Sequence, residues 1–167
     1  MYYSKIKYND VANGPGLRTS LFTSGCTHHC KGCFQPETWD FKNGEPFTAE
    51  TIKQIIEKSS NRYTAGLSLL GGDPLDNVPG ILPLLEEFRQ SFGNTKTIWL
   101  WTGYLFEDIL KDELKSKVLP LVDVIVDGRF EDGLKDIALK YMGSTNQKVI
   151  DVPKSLERAS IVLYSGS

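Results

Sequence analysis

Cys26, Cys30 and Cys33 stand in the stretch FTSGCTHHCKGCFQP, residues 22–36, spaced C-x3-C-x2-C, and the 167-residue chain has no other cysteine. A disulfide scaffold spreads an even number of thiols along a chain, so three within eight positions point to metal binding. An iron–sulfur cube normally takes four thiolates, and three leave one iron open to a small molecule. Structural zinc makes the opposite demand, a closed tetrahedron. His28 or His29 would then be the fourth ligand, in a cramped position between the first two cysteines. Cysteines without any ligand role are the third reading. His28 and His29 themselves read as plain loop residues.

The elements around this loop must hold it in place. Residues 17–22 (LRTSLF) read as a strand that delivers the cysteines through Gly25. Thr48 is placed to cap a helix over 49–58, with Ile52, Ile55 and Ile56 on one face. Residues 67–70 form a second strand, and a helix from about Val78 sets Ile81, Leu84, Leu85, Phe88 and Phe92 at core spacing. Pro79 and Pro83 fit only its start or an irregular first turn. Residues 97–101 and 122–126 read as further strands, 106–119 as helix stopped by Pro120, and 160–164 as a possible last strand. Strands alternating with helix-length segments imply a parallel sheet of βα units. Four or five units are too few for a closed eight-stranded barrel. The expected fold is therefore α/β, an open, incomplete βα barrel in a single domain over 1–167. Ligands gather at the carboxyl ends of such strands. The cysteine loop, GGDP (71–74), WTGY (101–104) and DGRF (127–130) each follow a strand, so all four should meet on one rim.

Composition narrows the partners. Hydrophobic residues make up 40% and charged residues 24%, as in ordinary globular chains that bury a core. A net charge of -2 offers no basic field for nucleic acid or anionic membrane. Apolar runs are too short to span a bilayer. The opening MYYSKIKYND lacks the apolar core of a signal peptide. The expectation is a cytoplasmic protein with neither nucleic acid nor membrane as a direct partner.

The flanking motifs add a resemblance. NGPGLR (13–18), LFTSGC (21–26) and CKGCF (30–34) resemble the signature of the radical S-adenosylmethionine activating enzymes. PETW, NGEPFT, LSLLGGDPL, NVP, WLWTGY, VDGRF and GSTNQ follow in order over nearly the whole chain. Together they are similar to the branch that activates anaerobic ribonucleoside-triphosphate reductase. Gln35 replaces the Asn usual in the signature, and Asp73 replaces the Glu of many Gly-Gly-Glu loops, the latter a change typical of this branch.

The resemblance implies a 4Fe–4S cluster held by Cys26, Cys30 and Cys33, its open iron chelated by the amino and carboxylate groups of S-adenosylmethionine. One electron then breaks the sulfonium's bond to the 5′ carbon, giving methionine and a 5′-deoxyadenosyl radical, with no need for a general acid or base. It implies that Gly32, Cys33 and Phe34 meet the adenine and that Gly72 approaches the methionine end. On the residues alone, Gly32 equally permits a tight loop and Phe34 equally fills core. Thr102, Gly103 and Tyr104 would line the ribose or methionine side, Tyr104 being as well suited to a structural role. Residues 127–130 would face the partner. Arg18 is open between cluster electrostatics and a structural ion pair, while Trp39, Trp99 and Trp101 read as core or interface. The implied partners are the reductase, which supplies a glycine α-hydrogen, and an electron donor such as flavodoxin or ferredoxin. The alternatives are an activase for another glycyl radical enzyme, such as pyruvate formate-lyase, and a zinc-stabilised binding module.

Overall fold

A computed structural model of the chain describes residues 1–30, 32–33 and 36–165. It opens with a strand absent from the sequence reading, β1 (Tyr2–Asp10), whose alternating Lys and aromatic residues leave Lys5 and Lys7 exposed and Ile6 and Tyr8 half-buried. Such a pattern carries little net hydropathy, yet it suits a strand with one wet face. Next come β2 (Leu17–Thr23), the short β3 (Glu45–Pro46), α1 (Ala49–Lys58), β4 (Thr64–Gly71) and α2 (Val78–Phe92). The chain continues through β5 (Thr97–Trp101), α3 (Phe106–Lys111), β6 (Val124–Asp127), β7 (Lys148–Asp151) and α4 (Val152–Arg158).

The strands form one mixed sheet in the order β3-β1-β2-β4-β5-β6-β7. β2, β4, β5 and β6 run parallel, as the βα pattern requires, while β1, β3 and β7 add antiparallel edges. Register lines up Ile6, Leu21, Leu69, Leu100, Ile125 and Ile150 in one row across the sheet. Side chains alternate between faces, so this row defines the apolar side. It packs against Ile55 of α1 and Ile81, Leu84, Leu85 and Phe88 of α2. On the opposite face Trp99, Val124 and Val126 form a smaller cluster with Tyr141, Met142 and Tyr164.

Local signals explain most helix boundaries. Thr48 closes a capping box with Thr51 at the start of α1, and Gly93, at φ 56°, ends α2. Pro79 occupies the first turn of α2, but Pro83 lies inside the helix, which continues past it. The helix expected over 106–119 divides instead. Asp112 draws the amides of Leu114 and Lys115 onto its side chain, which competes with helical bonding. A 3-10 segment, Lys115–Leu121, then carries through Pro120 rather than stopping there. The possible strand at 160–164 is reduced to one bridge between Ile150 and Leu163. No helix among the described residues is long and apolar enough to cross a membrane.

Candidate metal and cofactor site

Four parallel strands bring their carboxyl ends to one edge of the sheet, and the loops that leave them wall a cavity of about 560 Å³. Its size falls within the range of small-molecule sites. Cys26, Cys30 and Cys33 contribute from the loop after β2, Gly72 after β4, Thr102 after β5 and Gly128 after β6. The expected convergence of four loops on one rim is thus present.

Gly25, at φ 108°, turns the chain sharply out of β2, and the Phe41 ring fills the space a side chain there would need. All three cysteines are free thiols. Burial pushes the Cys26 thiol up to about 11, reinforced by Asp73 and Asp76 and opposed by the amides of His28 and His29. The Cys30 thiol is also raised, by burial and then by Cys33, against the Phe130 amide and the Arg129 charge. As free groups the Cys26 and Cys30 thiols stay protonated at neutral pH, and a bound metal would deprotonate them outright. The amides aimed at sulfur are the contacts that tune an iron–sulfur centre. Three thiols on one cavity wall, Cys26 and Cys30 with amide donors to sulfur, fit such a group.

Each residue between Cys26 and Cys30 has its own anchor. Thr27 donates its amide to Asp76 at 3.0 Å, and its hydroxyl lies 3.3 Å from that of Tyr104. The His28 ring is 3% exposed and sits 2.7 Å from Asp73 through Nε2. His29 stacks on Trp39 with ring centroids 4.5 Å apart and planes 9° from parallel. Both histidines stand in the loop as expected, and each also fastens it through a contact of its own. Asp73 is the other residue the sequence reading undervalued. It caps the turn Pro74–Asn77 by accepting the Leu75 amide, and it also accepts from Thr102 Oγ1 and the Gly103 amide. Its place before Pro74 was the available signal, since Asp commonly caps such turns.

Tyr104 donates its hydroxyl to Asp76, and burial together with that carboxylate pushes its phenol up to about 12. It anchors the cysteine loop, in keeping with its structural reading. Gly72 lines the cavity with its N–H spent on the Thr23 carbonyl at 2.7 Å, so what it offers a bound group is its own carbonyl. Gly32 is exposed at φ 74°, and a Cβ there would lie 2.5 Å from the Asp132 carboxylate. Its lack of a side chain thus serves close packing of the loop under the segment after β6. Cys33 lies on the cavity wall, whereas Phe34 and Gln35 fall outside the described residues. Trp39 and Trp101 also line the cavity, and only Trp99 is wholly core, packed on Tyr141 and Tyr164.

Arg18 fits neither of its sequence readings as an ion pair or a neighbour of the thiols. It is fully buried at the end of β2 remote from the cysteine loop, and its hydrogen bonds go to neutral groups. A compact set of Cys26, His28 and Asp76, with ligand atoms within 4.8 Å of one another, is what zinc would use. It is one ligand short of a closed tetrahedron, leaves out Cys30 and Cys33, and has its His28 and Asp76 already hydrogen-bonded.

Comparison with known proteins bears on these alternatives. The model of a family described as a 4Fe-4S single cluster domain matches residues 12–150. The anaerobic ribonucleoside-triphosphate reductase-activating protein of Salmonella typhimurium is 42% identical over 153 residues, covering 89% of this chain and 97% of that protein. Its counterpart from Enterobacteria phage T4 is 44% identical over 151 residues, covering 89% of this chain and 93% of that protein. The Escherichia coli K12 counterpart is 42% identical over 153 residues, with coverage of 89% and 97%. With its three thiols gathered on one cavity and likeness of this extent, the chain belongs to the family of anaerobic ribonucleoside-triphosphate reductase-activating proteins, whose iron–sulfur domain it carries.

Proposed function

We propose that this protein is a radical S-adenosylmethionine activase that generates a glycyl radical on anaerobic ribonucleoside-triphosphate reductase. The observation that carries the reading is the meeting of Cys26, Cys30 and Cys33 with Gly72 around one cavity, in a chain of this family. The whole chain, 1–167, would act as one domain, its sheet serving as an open βα barrel of the radical S-adenosylmethionine type. When bound, the cluster supplies one electron that splits S-adenosylmethionine into methionine and a 5′-deoxyadenosyl radical, which takes a hydrogen atom from a glycine α-carbon.

The chain's own residues bind, orient and exclude water. Cys26, Cys30 and Cys33 would hold three irons of a 4Fe–4S cluster, with no further cysteine in the sequence for the fourth. The Gly72 carbonyl would accept from the cofactor's ammonium group. Gly32, Cys33 and Phe34 would meet the adenine, as the family resemblance implies, with Gly32 acting through the loop it packs. Trp39 and Trp101 give the cavity apolar walls. Flavodoxin or ferredoxin is the electron donor, and the setting is cytoplasmic, with no nucleic acid or membrane partner.

The test mixes reduced activase, S-adenosylmethionine and the cognate reductase without oxygen. A doublet EPR signal on the reductase is expected, and deuterium placed on the glycine α-carbon should appear in 5′-deoxyadenosine. Robust cofactor cleavage without either result would exclude the reductase as substrate and point to a free metabolite.

A further inference from the structure

We propose that His28 is a positioning residue: through Asp73 it locks the cysteine loop to the loops after β4 and β5, so that the metal and cofactor halves of the cavity keep one relative geometry. The proposal rests on the function given above. His28 lies two residues from both Cys26 and Cys30, so whatever holds its ring holds the loop between them. Its Nε2 meets Asp73 Oδ2 at 2.7 Å, with the ring 3% and the carboxylate 1% exposed. The same carboxylate accepts from the Leu75 amide at 3.0 Å, Thr102 Oγ1 at 2.9 Å and the Gly103 amide at 2.9 Å. Donors from three loops therefore converge on one buried acceptor.

Two details show that the arrangement is built around the ring. The Asp73 carboxylate accepts from each of its other partners, so Nε2 meets it as one more donor. Nδ1 is buried without a hydrogen-bond partner among the described residues, a cost that an apolar side chain of similar shape would avoid. A residue chosen only to fill space would not carry it. Gly103 supplies the second detail. A Cβ at that position would lie 2.7 Å from the imidazole, so the glycine of the Trp-Thr-Gly-Tyr loop makes room for His28. The Tyr104 ring then closes on the imidazole edge, centroids 4.5 Å apart at 65°. Backbone bonds run parallel to this link, from the Asp73 amide to the Gly25 carbonyl at 2.8 Å and from Thr102 to Val126 at 3.0 Å. They fix the strand ends. Together with the Thr27 amide's bond to Asp76 at 3.0 Å, the imidazole extends that order to the middle of the cysteine loop.

The test compares full-length wild type, His28→Ala, His28→Gln and Gly103→Ala, each reconstituted with iron and sulfide without oxygen. Iron and sulfide content is measured, and S-adenosylmethionine is titrated against the EPR signal of the reduced cluster. His28→Ala should keep its iron, because the three thiols remain. Its apparent Kd should rise about tenfold, as for a loop that holds the binding geometry about a tenth of the time. His28→Gln, whose amide can reach the same acceptor, should recover most of the affinity. Gly103→Ala crowds the ring from the other side and should weaken binding with His28 still present; because Gly103 also lines the cavity, the affinity of His28→Gln decides the matter if His28→Ala does not fold. Wild-type affinity in His28→Ala or Gly103→Ala overturns the proposal, as does loss of iron from both His28 variants, which would make the ring a ligand. A wild type that loads iron yet shows no response to S-adenosylmethionine removes the proposed function, and this role with it.

Discussion

Replacing Arg18 with Met should unfold the protein more readily while leaving the cluster's spectroscopy intact. The guanidinium is fully buried and donates to Ser68 Oγ, the Pro15, Leu67 and Thr97 carbonyls and Thr97 Oγ1, over 2.8–3.2 Å. Burial pulls its pKa down to about 10, with Asp123 pushing back, so it remains charged at neutral pH. Gly14, at φ 109°, exists to admit it: a Cβ there would lie 2.8 Å from Arg18 Cδ. Met keeps the apolar stem but strands up to five acceptors, each costing about 1 kcal/mol at the low end. Removing an unpaired buried charge returns part of that, since desolvating an ion costs several kcal/mol. A net loss of about 3 kcal/mol follows, which for a chain of this size lowers Tm by roughly 6–12 °C. Thermal unfolding of the apo protein by circular dichroism measures it, and EPR of the reduced cluster is recorded alongside. A Tm within about 2 °C of wild type, a shift below that of a 1 kcal/mol change, combined with an altered cluster signal would refute this reasoning and assign Arg18 to cluster electrostatics.

Changing Cys26, Cys30 or Cys33 singly to Ser should abolish a stable cluster, read as iron and sulfide content; full loading in any one variant would reveal another ligand. Gly72→Val should retain iron but weaken S-adenosylmethionine binding, because Gly72 lines the cavity and lies outside the set of left-handed glycines, so the backbone tolerates a side chain. Unchanged affinity in the EPR titration would take Gly72 out of the site. Thr48→Ala removes the capping box of α1 and should cost about 1 kcal/mol, a Tm drop of roughly 2–4 °C, with cofactor binding unchanged.

Spacing along the chain carried the local features of this protein. Three cysteines within eight positions announce a metal loop because ligand spacing is a property of contiguous residues. The apolar runs of β2, β4 and β5 and the βα alternation made the parallel strands legible, and with them the rim where four loops meet. Strands with a wet face were not legible: β1 alternates Lys with aromatics, β3 has two residues, and β7 gains its order by pairing with β6. The break after α3 was hidden too, since Asp112 diverts amides through a side chain that hydropathy does not weigh. What only the tertiary structure decided is how the cysteine loop is held. His28 and Asp73 are 45 residues apart, and Arg18 and Thr97 are 79 apart. A polar side chain in one dimension has no designated partner. Its role as loop residue, ligand or buried tie is chosen when the sheet brings one acceptor within hydrogen-bond distance and excludes the water that would otherwise satisfy it.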